Sequence, residues 1–326
     1  MISSKTRLKW ASRRLHRRLT GRSRPAILMY HRIGTESFDP WGMVVGTDRF
    51  ERQIEWLSAH RTVLPLIKFA ELHHQGSLPP DALSLTFDDG YACSATEAAP
   101  RLDRLGLRAT VFIPAGLIES QRGFWWDELA RIVLDYPDTS AILNGKEFAV
   151  PSADGRDCRW PAGSPPSTPR QRLYLQLWTM LRLSKPNIRE AAMSQLRDQA
   201  PIGAASELHR PLRREEAHKA RSALDFGSHA LTHSSLPSLS HDEKVREIGE
   251  SVDLCAAFVG EPPRTFAYPY GDFDKPSMRL VEELGFACGC IGGGQFVARH
   301  SSPFALPRLH VGDWEADRLA NMLGHA

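Results

Sequence analysis

The sequence has little of several things, and each shortage excludes something. It holds five cysteines in 326 residues: Cys93, Cys158, Cys255, Cys288 and Cys290. An odd number without framework spacing excludes a disulfide scaffold. Cys288-Gly-Cys290 has the look of a metal pair, but no second pair accompanies it. Its setting, GFACGCIG, is apolar, so buried strand thiols in a reducing compartment are expected. No stretch approaches the ~18–20 apolar residues of a transmembrane helix. No apolar segment of the kind a secretory signal needs follows the N-terminal charges. The location expected on these grounds is the cytoplasm. The net charge of +3 is too small to imply a nucleic-acid or acidic-polymer partner. Outside the N-terminus there is no basic stripe with interleaved aromatics. Internal repeats and long low-complexity segments are also missing.

What is present fits a soluble globular protein, with 42% hydrophobic and 24% charged residues. The length allows one large α/β domain or two ordinary ones. Charge is unevenly spread: residues 1–24 (MISSKTRLKWASRRLHRRLTGRSR) carry nine Lys or Arg and no acid. Three readings suit them: a loose basic tail, an amphipathic anchor at the inner face of an anionic membrane, or a targeting peptide.

Short apolar runs recur with helical patterns between them. Strands are expected at Ala26–Tyr30, Leu83–Phe87, Ala109–Ile113, Leu224–Gly227, Thr265–Tyr268, Phe286–Ile291 and Leu306–Val311. Helices are expected at Arg49–His60, Thr96–Leu105, Ser240–Phe258 and Lys275–Leu284. The third has a capping box, Ser240 with Glu243, and a stop at Gly260. This alternation predicts an α/β fold with a parallel sheet, and about seven strands suggest a distorted (β/α) barrel. Residues 127–221 break the rhythm with a turn at Asn144-Gly145, a Pro/Gly/Ser-rich loop over Pro151–Pro169, and helical patterns at Arg170–Leu183 and Asn187–Gln199. They read as an insertion of mixed hairpin and helices, capping or flanking a barrel built from 25–126 and 222–326.

The chemistry gathers at strand ends, where such barrels place their active sites. LTFDDGY (85–91) sets Asp88 and Asp89 side by side after an apolar run. Adjacent like charges need compensation. GSHALTH (227–233) offers His229 and His233, four apart; on a helical turn both imidazoles would share a face. Alone, the pair serves equally well as surface histidines. At the same rim as the aspartates, two imidazoles and one carboxylate make a cation site with open positions, whose charge lets the second carboxylate stay ionised beside it. FAYPYG (266–271) ends another strand: Pro269 fixes the backbone and Gly271 permits a positive-φ turn that can aim an N–H into the site, or simply turns the chain. PAILMYH ends in His31, which is either structural or faces the same pocket.

Taken together, TFDDG at 86–90, His229 to His233, and YPYG at 268–271 resemble the polysaccharide deacetylase family, carbohydrate esterase family 4. PAILMYHRIG, ATVFIPAG and LPRLHV extend the resemblance over about 25–126 and 222–312. It implies a distorted barrel and a divalent metal held by Asp89, His229 and His233. Zinc suits two imidazoles and a carboxylate, and nickel, cobalt or iron would also fit. It implies Asp88 as general base, the Tyr270 backbone N–H as oxyanion donor, and acetate released from an N-acetylated amino sugar. The departures are Ala230, where the family has Ser or Thr, and Ala267, where it has an arginine that orients the catalytic aspartate. No clear Leu-x-His acid stands near the C-terminus; His310 is out of register. With MYH near the start, this is similar to the circularly permuted branch that deacetylates poly-N-acetylglucosamine, an exopolysaccharide, and by analogy His31 would supply the acid. In FWWDEL (124–129), Trp125 and Trp126 either stack on a sugar or pack the insertion, and Asp127 is either a helix N-cap or a substrate ligand. The substrate expected is an N-acetylated glycan or a lipid- or nucleotide-linked precursor. The alternatives are a formamide or cyclic-amide hydrolase on the same barrel, and a sugar-binding protein with a decayed site.

Overall fold

A computed structural model describes residues 23–324, apart from 37, 119–122, 136–139, 144–145, 150–159, 161–163 and 201–205. The basic segment 1–22, the Asn144-Gly145 turn, Cys158 and most of the Pro151–Pro169 loop lie outside the described residues.

Eight short strands build the main sheet: β1 Ala26–Tyr30, β2 Ala82–Phe87, β3 Ala109–Ile113, β4 Leu224–Ser228, β5 Thr265–Ala267, β6 Cys288–Ile291, β7 Leu306–Pro307 and β8 Leu309–His310. Their order is β7-β6-β5-β4-β3-β2-β1-β8, and every pairing along it is parallel. The two ends of this path, β7 and β8, are halves of one segment separated by Arg308 alone. One bent strand therefore brings the ends of the sheet together, and the distorted (β/α) barrel expected from the sequence is nearly closed. A further short strand, Thr62–Val63, pairs with β2 off this path.

The strands are continuous apolar runs because both faces are covered: all six residues of β2 and all five of β3 are buried. Leu28, Leu85, Val111 and Ile113 pack with Phe50, Ile54 and Leu57 of the helix Thr47–His60. The alternate positions Ile27, Phe112, Ala267, Cys288, Cys290 and Leu306 form a second cluster. There Gly227 has a stated use, since a Cβ would stand 2.6 Å from the Phe112 ring. The four described cysteines are free and buried, as the apolar setting of Cys288 and Cys290 led us to expect.

Helices return the chain between strands. His241–Val259 is capped by Ser240 and Glu243 and ends in left-handed Gly260 (φ 85°), as the capping pattern dictates. The Thr96–Leu105 pattern becomes a wide turn at Ser94–Ala98 followed by a helix at Ala99–Arg104. Helix Leu66–His74 was not anticipated: it is short and half apolar, and lies on the surface of the second cluster.

Within 127–221, helices Pro169–Leu183 and Pro186–Gln199 and the strand pair Ser140–Leu143 with Lys146–Ala149 appear as expected. The helices pack around a separate apolar cluster that includes Trp125, Trp126, Leu129, Tyr174, Leu177 and Met193. Against it lie Trp41, Trp178 and Tyr270, so this cluster reaches the rim of the barrel. Among the described residues, no helix is long and apolar enough to cross a membrane.

Candidate active site

At the ends of β1, β2, β4 and β5, and at the β7–β8 junction, a cavity of about 260 Å³ opens. Its lining includes His31, Asp88, Asp89, Trp126, His229, His233, Tyr270 and Arg308. The strand ends thus gather what the sequence scatters over nearly 280 residues.

The two aspartates have different fates. Asp88, 4% exposed, faces Arg308, 1% exposed, in a two-pronged pair with Nη1–Oδ1 at 2.6 Å and Nη2–Oδ2 at 2.7 Å. Arg308 is itself held, donating to the Ile291 carbonyl at 3.2 Å and to the Thr86 hydroxyl at 3.3 Å. Burial alone would raise the Asp88 pKa, but the guanidinium, with His229 and His31 nearby, draws it well below the usual carboxylate range. Asp89 lacks such a partner: among the described residues no Lys or Arg pairs with it, and burial pushes its pKa up to about 6. Its Oδ1 instead lies 3.2 Å from His233 Nε2 and 3.6 Å from His229 Nε2.

Both imidazoles are poised as neutral donors. His229 Nδ1–H donates to the Ala267 carbonyl at 2.7 Å, which turns the Nε2 lone pair toward Asp89. Burial lowers His229 to about 4 and His233 to about 3. One ligand atom from each of Asp89, His229 and His233 lies within 4.8 Å of the others. Two neutral nitrogens and one carboxylate oxygen, with a buried negative charge otherwise uncompensated, fit a divalent metal ion.

The spacing of the histidines works through a loop, which corrects the helical-turn reading. After β4 the chain leaves the strand, and Ala230 and His233 take left-handed backbones (φ 63° and 55°). That loop is tied down by Glu247: its Oε2 accepts from the Leu231 and Thr232 amides (3.2 and 2.9 Å), and its Oε1 from the Thr232 hydroxyl at 2.5 Å. Ala230 N–H donates to Ser228 Oγ at 3.2 Å, so the turn is anchored without a hydroxyl at 230. Asp89 and Tyr270 are also left-handed (φ 71° and 60°). Four such non-glycine residues around one cavity are strain that the surrounding bonds must hold.

His31 lines the same cavity, with Nδ1 buried and without a partner. Desolvation lowers it to about 4, against the opposing pull of Asp89 and Asp88. Its ring lies 5.8 Å from that of His310. Tyr270 sits in the turn after β5, its ring 4.5 Å from that of His233 and its hydroxyl buried without a partner.

FWWDEL resolves differently from either expectation for Asp127. Phe124 is the N-cap of helix Trp125–Ala130, so Asp127 is not. Nor does Asp127 line the cavity. Its Oδ2 accepts from Tyr91 OH at 2.7 Å, and its Oδ1 lies 3.6 Å from Arg32. It stands behind the wall because a buried guanidinium draws it there. Trp126 donates its indole N–H to Tyr91 OH at 2.8 Å. One face is covered by Phe124 (4.7 Å, 3°), the His233 ring lies 4.4 Å away, and the residue is 4% exposed. Of the two roles weighed for it, packing is the one its surroundings serve. Trp125 is likewise buried in the insertion cluster.

Arg308 is the functional residue the sequence reading passed over. Its pair with Asp88 comes from the β7–β8 junction, whereas the resemblance implies an arginine partner from position 267, which is Ala267 here. The available signal was a lone arginine inside an apolar strand pattern, LPRLHV.

Comparison with known proteins agrees with this geometry. The polysaccharide deacetylase family model matches residues 75–135 and 202–289. Thirty per cent of residues are identical to YxkH of Bacillus subtilis over 89 positions, a match spanning 27% of this chain and 30% of that protein. The name of YxkH places it among polysaccharide deacetylases. The fold is similar to deacetylase PplD of Streptococcus pyogenes (TM-score 0.56, 16% identity, 92% of this chain and 97% of that one). It is also similar to IcaB of Ammonifex degensii (TM-score 0.57, 14% identity, 93% and 98%). Fold and site together define a (β/α) barrel with a buried carboxylate–imidazole cluster at its strand ends. Over residues 75–135 and 202–289 the chain carries the polysaccharide deacetylase domain that this family model describes.

Proposed function

We propose that this protein is a metal-dependent deacetylase that hydrolyses the N-acetyl group of an amino sugar in a glycan and releases acetate. One observation carries the reading: of two adjacent buried aspartates, one is held ionised by Arg308 and the other faces two neutral histidines. A binding module gains nothing from that division, whereas a hydrolase needs a base and a cation site side by side.

A divalent cation held by Asp89, His229 and His233, for which zinc suits the donor set, would supply Lewis acidity and bring the pKa of water toward ~7. Asp88, kept ionised and oriented by Arg308, accepts the proton of the attacking water. The Tyr270 backbone, held left-handed at the cavity rim, offers its N–H to the carbonyl oxygen as negative charge develops there. The amine leaves only when protonated, and His31, which lines the cavity, is the residue we assign to that transfer. Because burial lowers its pKa to about 4, His31 enters the cycle neutral. The proton it passes to the amine nitrogen is therefore the one that Asp88 has taken from the water, so that Asp88 ends the cycle as the carboxylate and His31 as the neutral imidazole.

The test is acetate release from chitooligosaccharides and poly-N-acetylglucosamine, with and without chelator. Acetate production abolished by chelator and restored by zinc, cobalt or nickel is the expected result. Undiminished release after complete metal removal, or formate as the product of the preferred substrate, would falsify the reading.

A further inference from the structure

The cavity has two kinds of lining. Asp88, Asp89, His229, His233 and Tyr270 lie in the stretches that the family model matches. Trp41, Met43, Trp178 and Arg182 line the same cavity from outside those stretches. Trp41 follows β1, and Trp178 and Arg182 stand on the insertion helix Pro169–Leu183. Residues inside the family match thus share the cavity with a wall drawn from the loop after β1 and from the helix Pro169–Leu183.

That wall is built with care. The indoles of Trp41 and Trp178 meet at 4.7 Å and 44°. Trp41 Nε1–H donates to Tyr174 OH at 2.6 Å, which fixes its ring. The Tyr270 ring meets Trp178 edge-on at 5.7 Å and 89°. The Arg182 guanidinium lies 5.2 Å from the Trp178 centroid and 4.7 Å from that of Tyr270, and pairs with Asp272. These two polar side chains keep 25% and 26% of their surface open. Trp41 and Trp178 are half-buried, in contrast to the sealed Trp126.

A pyranose ring has an apolar face of C–H groups and a rim of hydroxyls. It is recognised by a flat aromatic surface, which takes the face, and by planar donors and acceptors at its edge, which take the rim. The wall packs on one side against the apolar cluster of Trp125 and Tyr174, and its open side borders the cavity. We propose that Trp41 and Trp178 form the stacking platform for a sugar ring next to the reacting N-acetylhexosamine, with Arg182 donating to and Asp272 accepting from its hydroxyls. The ligand is thus an oligosaccharide chain, not a single amino sugar. This deepens the deacetylase reading above and rests on it.

The experiment uses the full chain carrying Asp88→Asn, which prevents turnover, titrated calorimetrically with tri-N-acetylchitotriose. Adding Trp178→Leu keeps apolar volume but removes the flat ring. It should raise the Kd roughly tenfold, and Trp178→Phe should recover part of that loss. In the active protein, Trp178→Leu should lower kcat/KM for the trisaccharide relative to that for p-nitrophenyl acetate by a similar factor, through KM. An unchanged Kd, no binding of the trisaccharide by the Asp88→Asn protein, or equal losses on both substrates would overturn the platform. Intact, Trp178-dependent binding without acetate release from any glycan would leave the platform standing and sink the deacetylase reading alone.

Discussion

On the floor of the cavity the functional side chains are sealed: Asp88 and Asp89 are 4% exposed, His229 1% and His233 5%. On the wall, Trp41, Trp178 and Arg182 line the cavity and keep part of their surface open. The floor is anchored through backbone and charge: Arg308 on Asp88, the Ala267 carbonyl on His229, Glu247 on the loop before His233. The wall is anchored through ring contacts between a helix of the insertion and a loop after β1. Around the floor, Asp89, His233 and Tyr270 hold left-handed backbones, whereas Trp178 and Arg182 of the wall rest on regular helix. A reaction centre tolerates little positional error, so its strain is offset by dense bonding. A surface that reads a sugar ring needs area and a few edge groups, which helix-borne side chains supply.

This contrast can be broken at the floor first. Removing the cation with chelator, or changing Asp89→Asn or His229→Ala, should reduce acetate release to background; elemental analysis should show the bound metal gone in each case. Asp88→Asn should retain the metal yet lose roughly 10²–10⁴-fold in kcat, the usual range for a general base. If Asp88→Asn instead lost the metal, Asp88 would be a ligand and the two aspartates would have to exchange roles.

Arg308→Met sharpens the comparison by leaving Asp88 buried without its partner. Breaking a buried ion pair from one side costs about 3–5 kcal/mol. A urea titration should show the loss as an earlier midpoint, with activity falling in parallel. A variant as stable as the parent would mean that Asp88 finds its compensation elsewhere.

The smallest effect is expected where floor and wall meet. Trp126→Phe removes the indole N–H that Tyr91 accepts, while keeping the stack on Phe124. About 1 kcal/mol of stability should be lost, and affinity for tri-N-acetylchitotriose should stay near that of the parent because the face of Trp126 is already covered. A drop in that affinity comparable to the Trp178→Leu effect would move the sugar platform to Trp126.

Much of this arrangement was legible locally. Buried strands in a parallel barrel read as unbroken apolar runs, so β1 and β3 fall where the residues place them. Ser240, Glu243 and Gly260 announce the helix they bound, because capping is a matter of three or four neighbouring residues. Asp88-Asp89 and the two histidines were also visible, as each pair is close in sequence. The helical reading of His229 to His233 failed because the left-handed backbones of Ala230 and His233 depend on bonds from Glu247, fourteen residues beyond His233. Asp127 was misjudged because its partners, Tyr91 and Arg32, come from other strand ends.

The sequence by itself determined the strand and helix periodicity, including the helices Pro169–Leu183 and Pro186–Gln199, and the carboxylates and imidazoles at strand ends. Those follow from short-range sterics, capping and burial pattern. Only the tertiary structure decided that Arg308 pairs with Asp88, that Asp88 and Asp89 differ in charge balance, and that Trp178 lines the same cavity. Each is a contact between residues distant in the chain. Such contacts are fixed by which strands meet when the barrel closes, and one-dimensional spacing carries no record of that closure.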